Sequence, residues 1–234
     1  MYQAIFFDMD ETLLSLDEKK FLDGYVMGVA KFFEQIMPGQ GKTMAKMLAA
    51  GSDVMKENHP GVTNEEYFWM FFEKNTSWKR AEVEPLFLQF YEQKFGQIEA
   101  EQEKDATIIK VVETLAAKGY PLIVATNPLL PKEANKHRLI WSGVEHINWQ
   151  LVTGYEDCCY CKPSKEYFLE ICEKFGYDPT KCLMIGNGMV EDMAAMEAGF
   201  DFYLLLDQVK GGNPDDYHGL KGKKEDLLKF VQAL

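Results

Sequence analysis

No stretch of this 234-residue sequence approaches the roughly 18 consecutive apolar residues that a membrane-spanning helix needs, so no membrane partner is expected. The N-terminus has no basic n-region and no cleavage pattern, so secretion is not expected either. Cysteine is sparse and odd in number, at Cys158, Cys159, Cys161, Cys172 and Cys182. An odd set in a chain of this length points to reduced thiols and a cytoplasmic setting. The three clustered cysteines form no paired C-x-x-C pattern, so zinc is not expected. His59, His137, His146 and His218 are scattered and unrelated to any motif. Positive charge is in deficit: 25 Lys and Arg stand against 37 Asp and Glu, a formal net charge of -12. A basic face for nucleic acid is thereby excluded. The same deficit constrains any anionic substrate, which the average field repels. Local positive charge must hold it, from a metal ion, a lysine or backbone N–H groups at helix ends.

Neither an internal repeat nor a low-complexity tract is present, and 47% hydrophobic content suits one large domain or one domain with an insertion. From residue 104 onward, apolar runs alternate with helical patterns. Ile108, Val111, Val112 and Leu115 follow helical spacing, closed by Gly119. Residues 120–125 read as a strand ending in Thr126-Asn127, and Pro131 opens a helix to about Trp141. Further strands are expected near 149–152, 182–185 and 202–206. Further helices are expected after Pro163, over about 190–198, and at the C-terminal end, with 207–219 as loop. This alternation predicts a parallel sheet covered on both faces. Residues 16–100 differ: they contain four helical patterns and no convincing strand, with Thr63 and Glu66 spaced as a capping box. The fold class expected is α/β, with an all-helical block at 16–100 inserted into a catalytic core made of 1–15 and 101–234.

The chemistry concentrates at strand ends. Ala4, Ile5, Phe6 and Phe7 form a short buried-strand pattern ending in Asp8 and Asp10, with Thr12 following. Open α/β sheets bind ligands beyond the C-terminal ends of their strands. Asp8 suits a nucleophile that forms an aspartyl phosphate, and Asp10 a proton carrier beside it. Later strand ends carry Thr126-Asn127, then Lys162, then Gly186-Asn187-Gly188 with Glu191 and Asp192. The informative feature is the order: a nucleophile, a hydroxyl donor, a cation and a second acidic cluster.

In that order the sequence resembles the haloacid dehalogenase-like hydrolase superfamily, over residues 1–15 and roughly 101–206. The Asp-x-Asp-x-Thr motif stands as Asp8, Asp10 and Thr12, the second motif as Thr126, the third as Lys162-Pro163 and the fourth as Gly186-Asn187 with Asp192. The resemblance implies a Rossmann-like three-layer core, with residues 16–100 as its helical cap. It implies a Mg²⁺-dependent phosphatase acting on a small phosphorylated metabolite, with Asp8 as nucleophile and Asp10 as general acid and base. Thr126, the Asn127 N–H and Lys162 would hold the phosphoryl oxygens; Asp8, the Asp10 carbonyl, Asn187 and Asp192 would hold the metal. Asp10 separates this chain from the dehalogenase branch, which has no acid there. A phosphomutase of the same superfamily, or a non-catalytic binder of a phosphorylated ligand, are the alternatives. Asn187 departs from the family, whose residue there is a metal-binding aspartate.

Overall fold

The computed structural model describes residues 1–98 and 104–234. Six parallel strands form one sheet in the order β3-β2-β1-β4-β5-β6. They are β1 (Ala4–Phe7), β2 (Leu122–Val124), β3 (Leu151–Val152), β4 (Cys182–Gly186), β5 (Asp201–Leu205) and β6 (Leu220–Gly222). Every residue of β1, β2 and β4 is buried, as parallel strands covered on both faces require. The strand order reverses between β1 and β4, and at that switch point the C-terminal strand ends open a crevice.

Side chains alternate across the strands. Ile5 and Phe7 point into a core shared with α5 (Ala106–Ala117) and α8 (Lys224–Ala233). Ala4 and Phe6 point into a second core with Tyr167, Phe168 and Ile171 of α7 (Lys165–Phe175). Asp105 caps α5 by accepting from the N–H groups of Thr107 and Ile108, and Gly176 closes α7 in the left-handed conformation.

Among the described residues between β1 and α5 the chain forms a helical cap: α1 (Glu18–Ile36), α2 (Gly41–Met55), α3 (Asn64–Asn75) and α4 (Arg80–Gln93). Asp17 caps α1 by accepting from the Lys20 N–H, and Phe21, Tyr25, Val29, Phe32 and Phe33 form its buried face. The Thr63–Glu66 capping box is present, with both reciprocal hydrogen bonds. The cap core is aromatic: Phe33, Phe72, Phe90 and Phe95 are fully buried, each worth about 1.5–3 kcal/mol of apolar burial. Trp141 of α6 (Lys132–Ser142) joins cap to sheet layer, with its ring 5.4 Å from Phe95 and 6.1 Å from Phe21. The Asn64 amide also donates to the Pro128 carbonyl at 3.1 Å. The boundary expected between cap and core, at 100 and 101, lies outside the described residues.

Two expectations need correction. The helix expected over about 190–198 is a 3-10 helix limited to Met193–Ala198. Its first residues are instead held in a turn, because the Asp192 N–H and side chain both bond back to Gly188. β6 was not expected; it is a short edge strand whose first two residues are exposed, so it shows no apolar run. Among the described residues no helix is long and apolar enough to cross a membrane.

Candidate active site

Asp8 is the first residue past β1, and its N–H donates to the Ile185 carbonyl of β4 at 2.9 Å, fixing it at the switch point. A tight loop follows, in which the Met9 carbonyl accepts from the N–H groups of Thr12, Leu13 and Leu14. Met9, Leu13 and Leu14 are buried and anchor this loop, which carries Asp10 on its rim.

Lys162 arrives from beyond β3 and is almost wholly buried. Its ammonium donates to Asp8 Oδ1 at 2.7 Å and to Asp192 Oδ1 at 2.6 Å. Asp192 Oδ2 accepts from the Gly188 N–H at 2.8 Å. Gly186 makes this approach possible, since a Cβ there would stand 2.4 Å from Asp192 Oδ2. Burial, and next the Asp192 carboxylate, push the Asp8 carboxyl up to about 7, against the opposing pull of Lys162. Burial disfavours the charged form of Lys162, but Asp192 and Asp8 outweigh it and hold the ammonium well above the ordinary lysine value.

Thr126 ends β2. Its carbonyl accepts from Thr153 Oγ1 at 2.9 Å and from the Tyr167 hydroxyl at 2.8 Å, which fixes the loop that presents Thr126 Oγ1 and Asn127. Asn127 Nδ2 reaches the Lys162 carbonyl at 3.5 Å, while its buried Oδ1 has no partner. Asp8, Asp10, Thr126, Asn127, Asn187 and Asp192 all line one cavity of about 670 Å³ between cap and sheet. The structure therefore brings together the residues that the sequence singles out, with Lys162 bridging two of them.

Asn187 is held on both sides. Its Nδ2 donates to the Gln208 carbonyl at 2.7 Å and to Glu11 Oε2 at 3.3 Å, and its Oδ1 accepts from Thr12 Oγ1 at 3.4 Å. Two acceptors on one side fix the amide orientation and leave Oδ1 with spare acceptor capacity. Glu11 has φ +60 and is the non-glycine residue in the left-handed region among the described residues. That conformation costs roughly 1–2 kcal/mol. Lys210 completes the group, 3.2 Å from Glu11 Oε2 and 2.8 Å from Glu18 Oε2. For a cation, the side-chain donors lining the site are oxygens, among them the Asp8 and Asp192 carboxylates and Asn187 Oδ1. Among the described residues no three His, Cys, Asp or Glu side chains form a ready-made metal cluster. The all-oxygen set, one member an amide, nonetheless matches the hard-donor preference of Mg²⁺.

Sequence reasoning missed Arg138. It is one of the largest fully buried side chains, in α6, and donates from Nη2 to Asp10 Oδ1 at 2.5 Å. Its Nη1 donates to Asn135 Oδ1 at 2.7 Å and lies 3.4 Å from Thr126 Oγ1, while Nε has no partner. The available signal was a charged residue at helical spacing from Ala134 and Trp141, on the inward face. Glu11 and Lys210 offered no comparable signal.

A family profile, haloacid dehalogenase-like hydrolase, matches residues 2–199. The chain belongs to this family. As a haloacid dehalogenase-like hydrolase it is similar to the glyceraldehyde 3-phosphate phosphatase of Methanothermobacter thermautotrophicus, 25% identical over 92% of this chain and 90% of that protein. It is also similar to the phosphoglycolate phosphatase of Haemophilus influenzae, 31% identical over 38% of this chain and 39% of that protein. Among solved structures, the HAD-hydrolase YfnB of Bacillus subtilis, bound to magnesium, matches with a TM-score of 0.55 and 20% identity. That match covers 98% of each chain and is a likeness of fold.

Proposed function

We propose that this hydrolase is a Mg²⁺-dependent phosphatase of small phosphate monoesters, working through a phospho-aspartate on Asp8. The observation that carries the reading is the carboxylate of Asp10. It lines the cavity that Asp8 lines, and a buried guanidinium holds it there. An alcohol needs a proton to leave and a halide does not, so a fixed acid at this point serves an ester.

In the first half-reaction an Asp8 oxygen bonds to phosphorus as the ester P–O bond breaks, and protonated Asp10 gives its proton to the departing oxygen. Lys162, Thr126 and the Asn127 N–H hold the phosphoryl oxygens while charge develops on them. In the second half, Asp10 takes a proton from water as the water oxygen attacks phosphorus. The bond from phosphorus to Asp8 breaks, inorganic phosphate leaves, and Asp10 is again protonated. Asp8, the Asp10 carbonyl, Asn187 and Asp192 are the groups that would hold Mg²⁺; burial first, and then the Asp192 carboxylate, raise the Asp8 carboxyl, and a cation there would favour its charged form. When bound, the ion supplies charge that offsets repulsion between Asp8 and the phosphate. The magnesium in the Bacillus subtilis structure supports this choice of metal. The free cysteines support a reducing, cytoplasmic setting.

The test is phosphate release from p-nitrophenyl phosphate, with Mg²⁺ and with chelator, by wild type and Asp8→Asn. Expected is Mg²⁺-dependent release that falls more than about a thousandfold in the variant. Binding of phosphate without release would favour the non-catalytic alternative. Return of the phosphoryl group to a sugar, with no net release, would favour a mutase.

A further inference from the structure

We infer that the ester cleaved at this site carries an uncharged, apolar alcohol and not a hydroxy-acid. The inference rests on the phosphatase reading and concerns the cavity lining that the proposed chemistry does not use. Its apolar members include Phe21, Leu22 and Val26 of α1, Leu48 of α2, Leu129 and Val190. Tyr25 also faces it, with its hydroxyl hydrogen-bonded to that of Tyr91 at 2.5 Å. Leu22 and Val190 are 48% and 53% exposed. Large aliphatic side chains left open around a cavity that ends in polar groups are what an apolar ligand covers.

Charge argues the same way. The cavity is lined by Lys56, Arg138 and Lys210 against Asp8, Asp10, Glu18, Asp53, Glu191 and Asp192. Each of the three cations already has a carboxylate partner: Lys56 with Asp53, Arg138 with Asp10, and Lys210 with Glu11 and Glu18. Lys162 is bound to Asp8 and Asp192, at the phosphoryl end. A carboxylate on the leaving group would thus meet six acids against three cations, each of which a carboxylate already holds. A neutral alkyl or aryl group brings no charge to that acid-rich lining and can pack on its apolar side chains. The partial relative from Haemophilus influenzae, by its name, acts on an ester that does bear a carboxylate; among the described residues each cation lining this cavity already has a carboxylate partner.

The test is kcat/KM of the full chain, with Mg²⁺, for ethyl, butyl and hexyl phosphate, phosphoglycolate and p-nitrophenyl phosphate. Burial of a methylene is worth about fourfold, so hexyl phosphate, with four more methylenes, is expected to exceed ethyl phosphate by up to roughly two-hundredfold. Phosphoglycolate is expected below ethyl phosphate. Leu22→Asn and Val190→Asn, both at exposed positions, are expected to flatten the dependence on chain length, with thermal melts confirming that they fold. Equal values for ethyl and hexyl phosphate, a preference for phosphoglycolate, or an unchanged slope in both variants would overturn the inference while p-nitrophenyl phosphate is still hydrolysed. Failure to hydrolyse any of the esters, p-nitrophenyl phosphate included, would overturn the phosphatase reading and this inference with it.

Discussion

Restoring the family's aspartate at position 187 should harm this protein before it helps it. In Asn187→Asp, an oxygen replaces the Nδ2 that now donates to the Gln208 carbonyl at 2.7 Å and to Glu11 Oε2 at 3.3 Å. Two favourable contacts become acceptor against acceptor. Two unit charges at 3.3 Å repel by about 5 kcal/mol at an effective dielectric of 20. Lys210, 3.2 Å from the same Glu11 oxygen, and rotation of the new carboxylate relieve part of this. A net loss of about 2–4 kcal/mol is expected in chelator, which for a chain of this size lowers Tm by roughly 5–12 °C. Mg²⁺ should then raise the Tm of the variant by more than it raises that of wild type, because the added charge binds the ion and the ion screens it from Glu11. The pair decides the argument: Glu11→Gln placed on Asn187→Asp should recover most of the lost stability, since an amide at 11 can donate to the new carboxylate. The assay is differential scanning calorimetry of the two single variants, the double variant and wild type, in chelator and in Mg²⁺. If Asn187→Asp melts within about 2 °C of wild type in chelator, or if Glu11→Gln gives no recovery, Glu11 does not set the residue tolerated at 187.

Three further outcomes follow from the same contacts. Arg138→Met keeps the apolar stem but removes charged hydrogen bonds worth about 1.5–3 kcal/mol each and leaves Asn135 Oδ1 unpaired; denaturant unfolding should report a loss of about 2–4 kcal/mol, and Arg138→Met with Asp10→Asn should cost no more kcat than Asp10→Asn alone. Asp10→Asn should slow alkyl phosphates by roughly 10² to 10⁴ and p-nitrophenyl phosphate far less, because nitrophenolate leaves without a proton; equal losses in steady-state kinetics would make Asp10 a structural residue. Burial pushes the Cys161 thiol up to about 12, so only about one part in 10⁴ is thiolate at pH 8; mass spectrometry after iodoacetamide should find Cys161 unmodified in the native protein and fully modified once it is denatured.

The parts of the site that were legible in the sequence are those whose meaning is local. Asp8 and Asp10 follow a four-residue apolar run, and a buried strand ending in acids can be read without knowing its partners. The cap helices were legible from spacing, and the Thr63–Glu66 box from a three-residue interval. The Met193–Ala198 turn was misread because helical spacing ignores what Asp192 does: its side chain bonds back to Gly188 and delays the helix. β6 was missed because a three-residue edge strand with two exposed positions has neither an apolar run nor an alternation long enough to count.

What stayed hidden was the pairing of charge. Arg138 and Asp10 lie 128 residues apart in sequence, and Asn187 and Glu11 lie 176 apart. Composition indicated that an acidic chain must supply positive charge locally, but not that each cation near the site would already be held by a carboxylate. That arrangement has a consequence for binding. A phosphate arriving at Asp8 competes for an ammonium that two carboxylates hold at 2.7 and 2.6 Å, and drawing Lys162 toward the phosphate loosens one of those contacts. The exchange is least costly if another positive charge satisfies the carboxylate that Lys162 releases. Without one, the released Asp8 or Asp192 is a buried, unpaired anion, which is the costly state. Phosphate and a divalent cation should therefore bind cooperatively here, each lowering the cost of the other. Isothermal titration of phosphate into wild type, with and without Mg²⁺, measures that coupling directly. Equal phosphate affinity in the two conditions would mean that Lys162 serves the anion without leaving either carboxylate.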